Sequence, residues 1–241
     1  MNFETIQQIT ISAGNVTRIC QGSRTLWTKS GLPTGYQQLH YIECTGTQYI
    51  ATGVIPSNYS TALTYDFHGQ ATALLQQNGN NYLFGCLNSG QRSGNAALNT
   101  ADGVDKAVIY IGSSSMPTLV NSLPAIGEDF TLHMTAHAAD VAGASATLNG
   151  TSFDTTEYTV TNCEMPTTEI YLMWCNGVGS TSYPFCGKVY SFKITDSNGD
   201  LVRNFLPCRR TSDNVLGLFD TVGKQFYQNA GSGTFTAGDT V

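Results

Sequence analysis

The sequence predicts an all-β fold, a β-sandwich of the jelly-roll kind, and three observations support that prediction. Apolar and polar residues alternate with period two over several short stretches. Asn-Gly pairs, which favour tight hairpin turns, occur at four places. No segment sustains an apolar helical stripe over three turns. Many short strands closed by frequent turns are typical of β-sandwiches.

The predicted strands can be placed in chain order. In each half-buried strand the apolar residues are expected to face inward, whereas 107–111 is expected to be buried on both faces. The strands are 61–67, with Leu63, Tyr65 and Phe67 inward; 107–111; 131–138, with Leu132, Met134, Ala136 and Ala138 inward; and 188–194, with Tyr190, Phe192 and Ile194 inward. Two hairpins are predicted, one turning at Asn149-Gly150 after 144–148, the other joining 189–195 to 201–206.

Composition narrows the class of function. The net charge is −6, charged residues make up only 12%, and Thr and Ser supply 31 and 19 positions, so the predicted surface is built from hydroxyls and amides. Eleven scattered Lys and Arg cannot form the basic stripe that nucleic acid requires. The chain also has no apolar stretch near the ~18 residues of a membrane-spanning helix. Neither nucleic acid nor membrane is expected as a partner.

The cysteines favour a reducing compartment. They are seven in number and contain no C-x-x-C pair, so neither a closed disulfide framework nor a zinc site is indicated. Buried, reduced thiols are therefore predicted, and no cofactor is expected. The first residues show no secretion signal, although a trimmed signal stays open as an alternative.

Two regions and a linker are predicted. Residues 1–29 form a short N-terminal β arm, 30–35 a linker, and 36–241 the jelly-roll domain. The arm is too small to bury a core alone, so its apolar residues should dock on the large domain, on a symmetry mate or on another protein. These candidate docking residues are Ile9, Ile11, Val16, Ile19, Leu26 and Trp27.

Candidate catalytic residues are few, and the sequence predicts that the protein is not an enzyme. Retaining glycoside hydrolysis needs two carboxyls about 5–5.5 Å apart. Glu128 and Asp129 are adjacent and should point to opposite faces, and Asp102 and Asp105 lie in a Gly-containing turn. His133 and His137 should share a strand face, but about 13 Å apart, too far to share one metal ion.

Candidate binding residues have structural alternatives. Residues 196–200 could offer oxygen ligands to calcium or form a hairpin turn, and Arg209 and Arg210 could clamp an anion or pair with Asp220 or another carboxylate. Trp174 could stack on a sugar or belong to the core. The loops with sugar-binding chemistry are 85–99, with Asn88, Gln91, Arg92 and Asn95, and 171–184, with Trp174, Asn176 and Tyr183.

Both ends of the chain resemble a known family. The string LPTGYQQLHYIECTGTQYIATGV at 32–54 resembles the opening of concanavalin-A-like (LamG-type) jelly-roll modules found in tailed-phage virion proteins and gut-bacterial surface proteins. The closing strings also resemble that family, while residues 68–165 match loosely. These strings are GKVYSFKI at 187–194, LVRNFLPCRR at 201–210, VLGLFD at 215–220 and FYQNAGSGTFTAG at 226–238. The arm resembles the β leader that precedes such modules in phage structural proteins.

The resemblance also leads to an expected function. It implies a non-enzymatic virion structural protein, a capsid decoration, head fibre or tail fibre, that displays a lectin-like module for adhesion to surface glycans. Its expected location is the virion, and its partners would be other virion proteins, contacted through the arm in a homo-oligomer, with a trimer favoured. A bacterial carbohydrate-binding module is the first alternative, and a glycoside hydrolase or polysaccharide lyase the second.

Overall fold

A computed structural model describes residues 18–21, 24–28, 31–75, 79–88, 91–100, 106–112, 114–120, 123–137, 140–153, 165–177 and 183–241. Within these ranges the regular structure is β-strand, apart from one 3-10 turn at Pro56–Asn58. The described part of the chain contains no helix with the length and apolarity that a membrane crossing requires.

Two antiparallel sheets form the sandwich. The smaller sheet has the spatial order β11-β10-β9-β7-β15-β5, and β16, its one parallel strand among the described pairings, joins β7. Its strands are β5 (Ile50–Ala51), β7 (Asn80–Gly85), β8 (Leu87–Asn88), β9 (Gln91–Asn99), β10 (Lys106–Gly112), β11 (Ser114–Val120), β15 (Tyr171–Leu172) and β16 (Tyr183–Pro184).

The larger sheet has the order β14-β13-β12-β6-β17-β18-β19-β20, with β3, β4 and β21 attached beside it. Its strands are β3 (Tyr36–Gln38), β4 (Ile42–Thr45), β6 (Leu63–Ala73), β12 (Asp129–His137), β13 (Asp140–Leu148), β14 (Thr151–Ser152), β17 (Cys186–Thr195), β18 (Leu201–Arg210), β19 (Leu216–Asp220), β20 (Gln225–Gln228) and β21 (Thr236–Ala237). This architecture confirms the predicted all-β jelly-roll sandwich.

The core lies between the two sheets and is rich in aromatic rings. Phe67 of β6 is central, with its ring 5.5 Å from that of Phe130, 5.8 Å from Phe185, 6.4 Å from Phe84 and 6.5 Å from Phe192. These rings come from both sheets, so they join the two layers of the sandwich. Burial of such large side chains is the main stabilising contribution in a fold of this kind.

Most of the predicted inward positions are confirmed. Leu63, Tyr65 and Phe67 of β6 and Leu132, Met134 and Ala136 of β12 are buried, as expected from alternation. Residues 107–110 of β10 are buried on both faces, because Val108 and Tyr110 join a second apolar cluster on the outer side of the smaller sheet. Ala138 and the side chain of Ile111 lie outside the described residues.

The predicted inward position of Tyr190 is wrong. On β17, Val189 faces Gly69 and Ser191 faces His68, so Tyr190 is an extra residue in a β-bulge. The bulge breaks the alternation: Val189 and Phe192 are fully buried, whereas Tyr190 and Ser191 are partly exposed.

Both predicted hairpins are confirmed. β13 and β14 pair through Leu148 and Thr151, and Asn149 and Gly150 both adopt positive φ, at 49° and 80°, as a type I′ turn requires. β17 and β18 are joined by 196–200, where the Asp196 carboxylate accepts hydrogen bonds from the backbone N–H groups of Asn198 and Asp200. The hairpin alternative is therefore confirmed for these residues.

The end of the predicted arm forms a hairpin of its own. β1 (Arg18–Gln21) and β2 (Arg24–Thr28) make a separate two-stranded antiparallel sheet, in which Ile19 is the register partner of Trp27. The other docking candidates divide as follows: Leu26 lies on β2, and Ile9, Ile11 and Val16 lie outside the described residues. The docking role of all six stays a prediction.

Every cysteine whose side chain is described is a buried free thiol: Cys44, Cys86, Cys175, Cys186 and Cys208. Burial raises the pKa of Cys44 to about 12 and, likewise through burial, that of Cys208 to about 12. At neutral pH these two thiols therefore carry almost no reactive thiolate.

We expect the cysteines to be inert in the folded protein. Native protein at pH 8 should react slowly with iodoacetamide, whereas denatured protein without reductant should yield nearly seven thiols in a quantitative titration, and reductant should not shift the melting temperature. Recovery of a single thiol would instead indicate three disulfides and contradict the prediction of reduced thiols.

Candidate functional site

The face of the larger sheet turned away from the core, here the outer face, contains a shallow depression of about 400 Å³. It lies over three adjacent strands, β12, β6 and β17, and buried side chains of the same strands form the core beneath it. The polar residues that line it are Asp66, His68, Thr131, His133, Ser191 and Lys193.

Strand register places these six side chains in two rows across the sheet. His133 is the register partner of Asp66, which is in turn the partner of Lys193. In the second row, Thr131 is the partner of His68, and His68 the partner of Ser191. Directly opposed residues have Cβ atoms about 4.5–5.5 Å apart, so each row is a continuous line of polar groups.

The centre of the depression is an Asp–His pair. The Nδ1–H of His133 donates to Oδ1 of Asp66 at 2.6 Å, and the two side chains are 49% and 47% exposed. A polar contact between side chains this exposed contributes only about 0–1 kcal/mol to stability. The contact holds the imidazole in one orientation and leaves Nε2 available to a ligand.

Three other polar side chains of the depression, those of Lys193, Ser191 and Thr131, have no side-chain partner among the described residues. Within the described part of the chain, no ion pair is formed by Lys193 and no side-chain hydrogen bond by Ser191 or Thr131. The depression therefore presents an ammonium group and two hydroxyls to solvent. These groups can hydrogen-bond to a polar ligand without first breaking a side-chain contact within the described part of the protein.

The bulge on β17 shapes one wall of the depression. It turns Tyr190 outward, where its ring packs on the His68 ring with centroids 4.6 Å apart and planes inclined by 30°. His68 lines the depression, so this ring contact holds one of its lining side chains in place. Bulges that re-aim a side chain in this way are common beside functional sites.

Tyr190 is fixed by a second contact. Its hydroxyl donates to Oδ1 of Asp129 at 2.8 Å, and the same oxygen accepts a hydrogen bond from Gln70 at 2.8 Å. Partial burial, together with this hydrogen bond, raises the pKa of Tyr190 to about 12, so the hydroxyl stays protonated at neutral pH. On its far side the ring meets Tyr41, edge to face at 5.7 Å, and the Lys188 ammonium lies 4.8 Å over that second ring.

Several candidates from the sequence have structural roles. Asn95 is fully buried, and its side chain accepts from the backbone N–H of Cys86 and donates to the sulfur of Cys175, so it cannot contact a sugar. Trp174 is half-buried, edge-on to Tyr49, and packs on the second apolar cluster, in agreement with the core alternative. Asn176 donates to the backbone carbonyl of Glu169.

Of the remaining candidates of these loops, one has a described side chain and three do not. Asn88 is partly exposed and donates to Thr167 at 2.7 Å. The side chains of Gln91, Arg92 and Tyr183 lie outside the described residues. The two loops therefore offer no assembled sugar site among the described residues.

Of the two arginine candidates, Arg210 is accounted for by a local contact. Arg210 forms a two-pronged contact with Asp213, so the pairing with another carboxylate is confirmed, whereas Asp220 is approached by Arg203 at 3.6 Å. The Asp220 carboxylate also caps backbone N–H groups of the 221–223 turn. Arg210 additionally packs over the ring of Phe226 at 4.8 Å.

The carboxylate and metal candidates remain dispersed. Asp129 is engaged by Gln70 and Tyr190, Glu128 is exposed next to it, and Asp102 and Asp105 lie outside the described residues. His137 lies on β12 with His133, but its side chain is not described. Among the residues that the structure describes, no three His, Cys, Asp or Glu side chains come together as a metal site.

A second cavity, of about 460 Å³, lies between the start of β19 and the loop at 228–235. Its amide residue Asn229 is fully engaged in holding that loop: its oxygen accepts from Tyr49 and Gly231, and its NH₂ donates to the carbonyls of Ser232 and Gly233. None of the described residues that line this cavity is charged, so it offers fewer binding groups than the depression.

No family model matches the chain, and no curated protein matches it. Among solved structures, the chain is similar to domains LG4-5 of the mouse laminin alpha1 chain, with 13% identity, a TM-score of 0.45, and coverage of 90% of this chain and 49% of that one. It thus spans about half the length of the laminin fragment.

A second similar structure is the carbohydrate recognition domain of Emp47p, with 7% identity, a TM-score of 0.39, and coverage of 68% of this chain and 89% of that one.

Sequence reasoning missed the depression as a site. It placed His133 on a polar strand face but did not connect it with Asp66, His68, Ser191 and Lys193. The usable signal was the set of polar positions alternating with the apolar ones in 61–67, 131–138 and 188–194. That signal does not reveal which strands are neighbours, and these three are far apart in the chain.

Proposed function

We propose that this protein is a non-enzymatic glycan-binding module that serves as a structural and adhesive component of a tailed-phage virion. The observation that carries the glycan-binding part is the depression on the outer face, where Asp66, His133, Lys193, Ser191 and Thr131 expose polar groups over three adjacent strands. Sugars need several convergent hydrogen bonds, and these groups supply both donors and acceptors.

The His68 ring supports a sugar as the ligand. It lines the depression and packs on the Tyr190 ring, so an aromatic side chain is held in place beside the hydrogen-bonding groups. A pyranose has one face of C–H groups and a rim of hydroxyls, which matches a ring next to polar side chains. The volume of about 400 Å³ lies within the range of small-ligand sites.

The non-enzymatic part of the proposal rests on the lining of the depression. Asp66 is the single carboxylate among the described lining residues, and one of its oxygens is occupied by His133. Hydrolysis of a glycosidic bond by the usual mechanism requires two carboxyls, one as acid and one as base or nucleophile. Binding without cleavage is therefore the activity that the lining supports best.

The virion part of the proposal is supported by the family-like strings at both ends and by the β1–β2 hairpin in front of the sandwich. In this proposal residues 1–29 are the arm, 30–35 the linker and 36–241 the glycan-binding domain. The arm attaches the module to other virion proteins and to copies of itself, with a trimer favoured.

Removing the Asp–His pair is expected to abolish glycan binding. On a glycan array and by calorimetry, the variant Asp66→Ala/His133→Ala should bind at least about thirtyfold more weakly, since a hydrogen bond to the Asp66 carboxylate contributes about 1.5–3 kcal/mol and one to the His133 ring about 0.5–1.5 kcal/mol. Its melting temperature should barely change because the pair is exposed.

The matched control is Arg210→Ala/Asp213→Ala, which removes another partly exposed charged pair from the same sheet and should leave binding intact. Equal loss in both variants, or no binding by the wild type, would contradict the proposed site. Release of new reducing ends from any bound polysaccharide would contradict the non-enzymatic part.

A further inference from the structure

Two side chains of opposite charge line the depression next to each other but do not form an ion pair. Asp66 and Lys193 are register partners on β6 and β17 and both line the depression, yet no ion pair within 4.0 Å joins them. His133 occupies Oδ1 of Asp66, and Oδ2 has no recorded partner within the described residues. A free acceptor and a free ammonium donor are therefore adjacent.

Two other charged residues of the outer face, Asp129 and Lys188, are engaged by protein side chains. Asp129 accepts from Tyr190 and Gln70, and the Lys188 ammonium lies over the Tyr41 ring. Among the described residues that line the depression, the carboxylate of Asp66 and the ammonium of Lys193 are therefore the charges that a ligand meets.

This pairing has a chemical consequence for the ligand. A carboxylate such as Asp66 can only accept hydrogen bonds, and an ammonium such as Lys193 can only donate them, whereas a hydroxyl does both. Two neighbouring hydroxyls of one sugar ring can thus bridge the two side chains. A ligand carboxylate would meet the Asp66 charge, and a ligand ammonium would meet that of Lys193, at a cost in either case.

We infer that Asp66 and Lys193 select a neutral sugar, held through two adjacent hydroxyls, and discriminate against carboxylated sugars. The inference rests on the proposed glycan-binding function and deepens it. Asp66 supplies the discrimination, because it repels an anionic ligand that Lys193 alone would attract. Ser191 and Thr131 add neutral hydrogen-bonding groups on either side of His68 in the neighbouring row.

The inference is tested with matched sugars on the full chain. The probes are oligosaccharides of glucose, galactose and mannose, each compared by calorimetry with its counterpart oxidised at C6 to the uronic acid, at low and high salt. The wild type should bind the neutral member about tenfold or more tightly than the acidic one, with neutral binding insensitive to salt. Loss of either ring hydroxyl of the bound pair in deoxy analogues should weaken binding about tenfold.

Two substitutions should shift the preference in opposite directions. Asp66→Asn should weaken neutral binding and remove or reverse the preference, because Lys193 is then unopposed. Lys193→Gln should weaken binding of the neutral sugar and should weaken binding of the acidic sugar still more, so that the affinity ratio between them rises. Asp200→Asn and Lys224→Gln, which make the same charge changes at exposed turn positions, should leave the preference unchanged.

The outcomes separate the two levels of the proposal. If the wild type binds neutral and acidic members equally well, or if Asp66→Asn leaves the preference intact, the inference is wrong while glycan binding stands. If no neutral or acidic probe binds, the proposed glycan-binding function fails and the inference fails with it.

Discussion

Deletion of residues 1–29 is expected to leave the sandwich folded and to abolish self-association or incorporation into particles. The strands of both sheets lie downstream of this segment, and the β1–β2 hairpin forms a sheet of its own. The arm sequence, in contrast, offers Ile9, Ile11, Val16, Ile19, Leu26 and Trp27, and burial of apolar area at ~25 cal/mol per Å² would contribute several kcal/mol to association.

The measurements are circular dichroism, thermal melting and mass in solution of the full and truncated chains. A β-type spectrum and an unchanged melting transition, with a drop to the monomer mass, is the expected result. A truncated chain that fails to fold would show that the arm is an intrinsic part of the sandwich. One that folds and still assembles would place the attachment surface elsewhere on the module.

Among the core residues beneath the depression, Phe67 is expected to be the one whose replacement by Ala lowers the free energy of unfolding most. Phe67 is about 1% exposed and lies among four other core rings, so its removal leaves a cavity that the rigid sheets cannot close. Such replacements cost about 3–5 kcal/mol. Glycan binding should weaken as well, because Asp66 and His68 flank Phe67 on β6.

Denaturant unfolding measures the loss in free energy of unfolding, and calorimetry the loss in binding. Phe226→Ala is the matched control, since this ring is partly exposed and stacks on Tyr36 and Arg210 away from the main core. It should cost far less stability and leave binding intact. A Phe67 variant as stable as the wild type would contradict the assignment of this ring to the centre of the core.

Much of the β-structure could be predicted because it depends on local sequence. Alternation placed Leu63, Tyr65, Phe67, Leu132 and Met134 correctly in the core, and Asn149-Gly150 correctly marked a hairpin. Alternation failed at Tyr190, where one extra residue in β17 reverses the pattern. A bulge depends on the pairing partner as well as on the strand itself, so the period of the strand does not reveal it.

The amino-acid sequence alone determined that this protein is all-β, that its cysteines favour burial as free thiols, and that its polar surface is hydroxyl-rich. Those properties follow from residue type and near-neighbour order. Only the tertiary structure decided that Asp66, His133 and Lys193 stand in one row and that Asn95 is buried. Their positions depend on the order β12-β6-β17, in which strands distant in the chain become neighbours through the packing of two sheets. The sequence of a single strand does not show which strands will be its neighbours. The neighbours and the register are set by how the buried face of each strand packs in the core.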